Sequence, residues 1–215
     1  MAGPTAAFWQ EHFEQGRMPW DRGGASPQLQ AWIAEGVLKP GQRVLVPGCG
    51  RGWEVVALAA LGAEVTAVDI APAALAACAG LLKEAGLSAT LVDADLLQWQ
   101  PAQPFDRIYE QTCLCAIHPD LWVRYAERLH AWLRPGGQLA LLAVQALRPG
   151  AQEGRVEGPP YHLDINAVRA LFPAHRWQWP RPPYARVLPP ALPGHANTVA
   201  ARSAELAILL PRLAD

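Results

Sequence analysis

The chain has 215 residues, 51% of them hydrophobic and 17% charged, with a formal net charge of -1. That composition suits one soluble globular domain with a sizeable core and excludes a disordered chain. A near-neutral charge without any Lys/Arg cluster excludes the electrostatic footprint of a nucleic-acid binder.

In chain order, "MAGPTAAFWQEHFEQGR" has no basic start followed by an apolar core, so no signal peptide is read. Residues 1–38 hold Trp9, Trp20 and Trp32 among Gly and Pro, without strand alternation. "RVLV" (Arg43 to Val46) is an unbroken apolar run, the pattern of a buried parallel strand. Trp53, Val56, Ala57 and Ala60 then repeat at i, i+3, i+4 and i+7, one face of a helix. "EVTAVD" (Glu64 to Asp69) is a second strand, and Pro72 starts a helix that Gly86 stops. "ATLVD" (Ala89 to Asp93) and "FDRIYE" (Phe105 to Glu110) are strands three and four. Asp120 is expected to cap a helix carrying Trp122, Tyr125, Leu129 and Trp132, which "RPGG" ends before the strand "QLALLAV". Ten prolines between Pro149 and Pro193 predict loops and short elements around one helix, "DINAVRALF", and "ELAILLPRL" predicts a last strand. The alternation argues for an α/β fold, a parallel sheet with helices on both faces. Its longest greasy run, Leu139 to Leu147, is too short to span a bilayer, so a cytoplasmic protein with no membrane partner is expected. Cys49, Cys78, Cys113 and Cys115 lack metal spacing and are read as reduced, buried small hydrophobes.

Gly48, Gly50 and Gly52 stand at alternate positions between the first strand and its helix. Such a turn presents backbone N–H groups and a positive helix end to a ligand, and glycine lets the backbone approach it. A dinucleotide fingerprint would place its third glycine where this chain has Trp53, whose indole blocks a pyrophosphate. G-x-G-x-G instead resembles the cofactor turn of class I S-adenosylmethionine-dependent methyltransferases. Asp69, 17 residues after Gly52, is placed either to accept the ribose hydroxyls or to cap the following helix. Asp95, after strand three, is either an adenine contact or a solvated turn residue.

"VLVPGCGRG", with Val46 and Pro47 where generic members carry an acid, resembles the thiopurine S-methyltransferase family, which includes thiol and halide methyltransferases. "FWQEHFEQGRMPWDRGGASPQL", "FDRIYEQTCLCAIHP", "LRPGG" and "EGPPYHLD" agree in order, so the resemblance covers roughly residues 8–172. It implies a Rossmann-like, mostly parallel seven-stranded sheet closed by an antiparallel pair. Residues 1–38 would be a lid, 39–145 the cofactor-binding core and 146–215 the substrate-side part of one domain. The cofactor is then S-adenosyl-L-methionine, bound by Trp9, Trp20, Gly48, Gly50, Gly52, Asp69, Ile70, Asp95, Leu96 and Glu110. Asp21 and Gly24 belong to the same covering turn, although Trp9 and Trp20 would equally plug the core from outside. The family motif after strand four points to Glu110 and Gln111 as catalytic, with Gln111 where relatives carry Arg or Tyr. His118 is a base or part of a turn. The implied acceptor is a small soft nucleophile: a thiol, thiopurine, selenium compound or halide. No catalytic base is evident, which suits an acceptor that arrives ionised, and a monomer is expected. Three alternatives stay open: a different O- or N-acceptor, an NAD-dependent oxidoreductase that uses Asp69, and a non-catalytic cofactor-binding module.

Overall fold

The computed structural model describes residues 3–146, 149–187 and 204–214. Two helices come first, α1 (Ala6–Glu14) and α2 (Pro27–Ala34). The core follows as β1 (Arg43–Pro47), α3 (Trp53–Ala60), β2 (Glu64–Asp69), α4 (Pro72–Glu84), β3 (Thr90–Asp93) and β4 (Phe105–Gln111). Next come α5 (Cys113–Ala116), a 3-10 turn (Pro119–Leu121), α6 (Trp122–Trp132) and the long β5 (Leu133–Gln145). α7 (Pro149–Gln152), α8 (Ile165–Leu171), β6 (Ala185–Val187) and β7 (Ala204–Pro211) complete the described elements.

The strands form one seven-stranded sheet in the order β3-β2-β1-β4-β5-β7-β6. β1 to β5 pair in parallel, and β7 runs antiparallel to both β5 and β6. Alternate residues of a strand face opposite sides, which divides the core in two. Val44 and Val46 pack with Trp32, Val55, Leu58, Leu75 and Cys78 on one side. Leu45 packs with Tyr125, Leu129, Trp132 and Val168 on the other. Both faces of the sheet are therefore covered by helices, the arrangement that the alternating strands and helices predict. β1 pairs with β2 on one flank and β4 on the other, so the winding direction reverses between β1 and β4. A crevice opens there, beyond the carboxyl ends of the strands.

Three local expectations are corrected. The buried residues of α3 are Val55 and Leu58, whereas Val56 and Ala57 are only half-buried. The helix starts from left-handed Gly52, and the Trp53 indole donates to Asp21 Oδ1 (2.8 Å), which turns that face toward the lid. Asp120 is not the cap of α6: it lies inside the 3-10 turn, where its N–H is accepted by the His118 ring. β5 begins at Leu133 rather than after "RPGG", because Leu133 already pairs with Phe105 across a register shift. Pro189, Pro190 and Pro193 fall outside the described residues.

Candidate active site

The glycine turn is held from below. Asp69, buried at the end of β2, accepts from Gly50 N (2.9 Å) with Oδ2 and from Ala71 N (3.0 Å) with Oδ1. Burial pushes its pKa up, while these N–H donors pull it down. A carboxylate has about four lone-pair sites, so acceptor capacity remains on both oxygens. The glycines answer different demands. A Cβ on Gly48 would lie 2.8 Å from Cys113 Sγ, and one on Gly52 only 2.3 Å from Cys78 Sγ. Both are therefore required by packing as well as by any ligand. Gly50 has only Phe13 of α1 near it, 3.7 Å from such a Cβ, so its open side faces the lid.

That lid is α1 and the turn after it. Thr5 caps α1, and Gln10 Oε1 accepts from Ala73 N (2.9 Å) at the start of α4. Trp20 collects an aromatic cluster, with ring centroids 5.6 Å from Trp9, 6.0 Å from His12 and 6.2 Å from Phe13. Asp21 pins the lid to the glycine turn, accepting from Trp53 Nε1 (2.8 Å) and pairing with Arg51 Nη1 (3.1 Å).

Between lid and turn lies a cleft lined by Trp20 to Arg22, Gly24, the segment from Gly48 to Glu54, Tyr109, Gln111 and Thr112. β4 enters it with alternate residues only. Tyr109 and Gln111 face the cleft, whereas Glu110 points to the opposite side of the sheet, as strand alternation requires. Thr112 is the one described non-glycine residue with positive φ (65°), and it turns the chain from β4 into α5. Arg22 bonds Glu205 Oε1 of β7 at 2.7 Å. Glu54 Oε1 accepts from Ser26 N (3.0 Å). The Gln111 amide is assigned from this network: its nitrogen donates to Tyr109 OH (2.7 Å) and Glu54 Oε1 (3.2 Å), and its oxygen accepts from Arg22 Nη1 (3.2 Å). Burial pushes the Glu54 pKa up, and burial, then the Glu54 charge, raises that of Tyr109 further. Glu205 is fully buried, and its Oε2 has no hydrogen-bond partner among the described residues.

The predicted residues thus separate into groups. Trp20, Gly48, Gly50, Gly52 and Gln111 share the cleft. Asp69 stands under it through Gly50, and Trp9 meets it through the edge of Trp20. Ile70, Asp95 and Leu96 follow the neighbouring strand ends and do not line this cleft; Asp95 Oδ1 accepts from Leu97 N (2.8 Å), and Leu96 is buried in the core. Glu110 is fully buried; its Oε1 accepts from Leu114 N (2.5 Å) and Tyr125 OH (3.5 Å), and burial pushes its pKa to about 8. His118 caps the 3-10 turn and meets Tyr161 edge-on at 5.4 Å. Sequence reading missed Arg22, Glu54, Tyr109 and Glu205. Glu54, an acid in the first turn of the helix after the glycines, carried the nearest thing to a signal.

The thiopurine S-methyltransferase family model matches residues 4–209, nearly the whole chain. The chain belongs to that family. Probable thiol methyltransferase 2 of Arabidopsis thaliana is 32% identical over 175 residues, covering 80% of this chain and 74% of that protein. Thiopurine S-methyltransferase of Legionella pneumophila is 27% identical over 180 residues, covering 77% and 79%. Among solved structures, the 1,6-didemethyltoxoflavin-N1-methyltransferase of Burkholderia thailandensis, with bound S-adenosylhomocysteine, superposes with a TM-score of 0.71 at 20% identity, covering 100% of this chain and 94% of that one. The cyclase SpnF gives a TM-score of 0.74 at 18% identity, covering 100% and 98%, so one fold carries unlike reactions. As a family member, this chain is an S-adenosylmethionine-dependent methyltransferase. Its residues fit that cofactor: a glycine turn open at Gly50, an acid with spare lone pairs at the end of β2, and, behind Arg22, a buried carboxylate oxygen without a partner among the described residues. No described helix is long and apolar enough to cross a membrane.

Proposed function

We propose that this methyltransferase acts on a small soft nucleophile, a thiol before a selenium compound or a halide. The observation that carries the reading is one cleft shared by the glycine turn, the lid residue Trp20 and Gln111 after β4. The names of the thiol and thiopurine relatives point to the same acceptor class. When bound, the cofactor supplies an electrophilic methyl group whose leaving group is a neutral thioether.

The protein's work is then positioning and drying. Gly50 offers its open backbone to the cofactor, Asp69 the ribose acceptor, and Ile70, Asp95 and Leu96 the adenine side. Trp20, backed by Trp9, closes over the cleft, and an aromatic face there favours a cation by about 0.5–2 kcal/mol. Excluding water strips the solvation shell from an anionic nucleophile, and alignment supplies an effective-molarity gain of up to about 7–11 kcal/mol. Gln111 orients the acceptor through its amide. Glu110 serves the reaction indirectly by holding α5, and with it Thr112, at the cleft wall. The chain works as one domain, cytoplasmic and monomeric, in keeping with its four free buried cysteines.

A panel assay tests the reading: thiophenols, thiopurines, bisulfide, selenite and halides with S-adenosylmethionine, following release of S-adenosylhomocysteine. Turnover of thiols, with two thiols of unlike pKa giving correspondingly displaced pH–rate profiles that survive His118→Ala, is the expected result. Turnover of none of these acceptors, with alcohols or amines added to the panel turning over instead, overturns it, as does one shared inflection near pH 6–7 that His118→Ala removes.

A further inference from the structure

The generic acid before the first glycine is absent here, and Val46 stands in its place on the cleft wall. Three charged side chains from distant parts of the chain surround that same end of the cleft. Glu54 comes from the first turn of α3, Arg22 from the lid and Glu205 from β7. Their sum is one unit of negative charge, because one guanidinium faces two carboxylates. Arg22 pairs with Glu205 Oε1, while the other carboxylate, among the described residues, accepts from the neutral donors Ser26 N and the Gln111 amide and meets Arg22 through its charge alone. Glu205 Oε2, wholly buried, has no hydrogen-bond partner among the described residues. A buried carboxylate oxygen left unsatisfied is costly, and the cost falls when a cationic donor is brought in.

We propose that Glu54 binds the α-amino group of the cofactor's methionine end, with Glu205 behind it holding Arg22 and supplying the uncompensated negative charge that attracts an ammonium. This rests on the cofactor reading above and assigns the polar end of that site. The lost acid at position 46 is replaced in space rather than in sequence: α3 begins at Trp53, so its second residue, Glu54, lies in the first turn and lines the same cleft as Val46. The neighbours facing Glu54 are consistent with an acceptor role. Gln111 and Ser26 donate to Glu54, Tyr109 OH accepts from the Gln111 amide, and Arg22 is the cation beside them among the described residues. S-adenosylmethionine itself carries one net positive charge, from its ammonium and sulfonium against one carboxylate, and this matches the cluster with opposite sign. Burial has already raised the Glu54 pKa, so an arriving ammonium relieves a desolvated charge rather than displacing water from an exposed one.

The test compares ligands that differ only at that end. S-adenosylhomocysteine, its deaminated analogue with hydrogen for the amino group, and 5'-methylthioadenosine, which lacks the amino-acid end, are titrated calorimetrically into wild type, Glu54→Gln and Glu205→Gln. Wild type should bind S-adenosylhomocysteine at least about tenfold more tightly than the deaminated analogue. Glu54→Gln should erase most of that ratio and leave 5'-methylthioadenosine affinity unchanged, and Glu205→Gln should act in the same direction. Equal wild-type affinities for the amino and deaminated ligands overturn the assignment without any variant. It also fails if Glu54→Gln weakens all three ligands alike, which marks damage to the fold or to the nucleoside end. Failure of every adenosyl ligand to bind wild type overturns the cofactor reading itself, and this inference with it.

Discussion

Glu110 makes the stability of this protein depend on pH in an unusual direction. Its carboxyl is fully enclosed, and burial raises its pKa from 4.5 to about 8 against the pull of Leu114 N and Tyr125 OH. The folded state therefore holds a proton that the unfolded state releases above its ordinary pKa. Stability from this group is complete below about pH 4.5, declines through the window up to about pH 8, and is flat beyond it. At about 1.4 kcal/mol per pH unit, the whole window is worth about 5 kcal/mol, and most of it is lost by pH 7. Glu110→Gln keeps an oxygen for Leu114 N and cannot ionise. The variant should match wild type near pH 5 and exceed it by several kcal/mol near pH 9, measured by urea unfolding at a series of pH values. A stability difference that does not change with pH, or a variant weaker than wild type at alkaline pH, refutes the assignment.

Asp69→Ala removes an acceptor from Gly50 N and from the ribose together, so S-adenosylhomocysteine binding should weaken by about 1.5–3 kcal/mol, or more if the turn loosens, as calorimetry would report. Unchanged affinity excludes the ribose role. Gly52→Ala puts a Cβ 2.3 Å from Cys78 Sγ at a φ of 89°, so left-handed strain and overpacking together should cost about 2–5 kcal/mol in urea unfolding. Cys78→Ala should recover only part of that loss, because Cys78 Cβ remains 2.8 Å from the new methyl; full recovery contradicts the strain component. Trp20→Leu should weaken the sulfonium cofactor by about 0.5–2 kcal/mol more than its neutral product, and equal losses for the two ligands place the indole away from the cation.

The central strands and the glycine turn were legible because parallel strands buried on both faces, such as β1, read as continuous apolar runs. The phase of α3 was not, since Gly52 and the Trp53–Asp21 bond set it, and the latter is a contact across the lid. Strand alternation places Glu110 and Gln111 on opposite faces, but which face looks into the cleft depends on which helices cover each side. Family resemblance named both and could not choose. Arg22 could be read only as a neighbour of Trp20, and Glu205 carried no local signal at all. Its role comes from β7 pairing with β5, which sets Glu205 opposite Val144. The Asp120 cap failed because His118 takes the capping place: its ring accepts from Asp120 N, which sets Asp120 inside the 3-10 turn ahead of α6.

The Arg22–Glu205 bond joins positions 183 residues apart. At a synthesis rate of about 5–20 residues per second, Arg22 is incorporated about 10–40 s before Glu205. For the last part of that interval, about 3–12 s between the completion of β5 and the start of β7, β5 has no β7 beside it, and its apolar edge is open to pairing with any other extended chain. The nascent lid has nothing on β7 to hold. With Glu205 in its proposed role, binding competence arrives in one late step, when a single strand covers the sheet edge and sets the charge behind Arg22. Heat or denaturant that peels β7 away first would disarm the enzyme while most of its parallel sheet still stands.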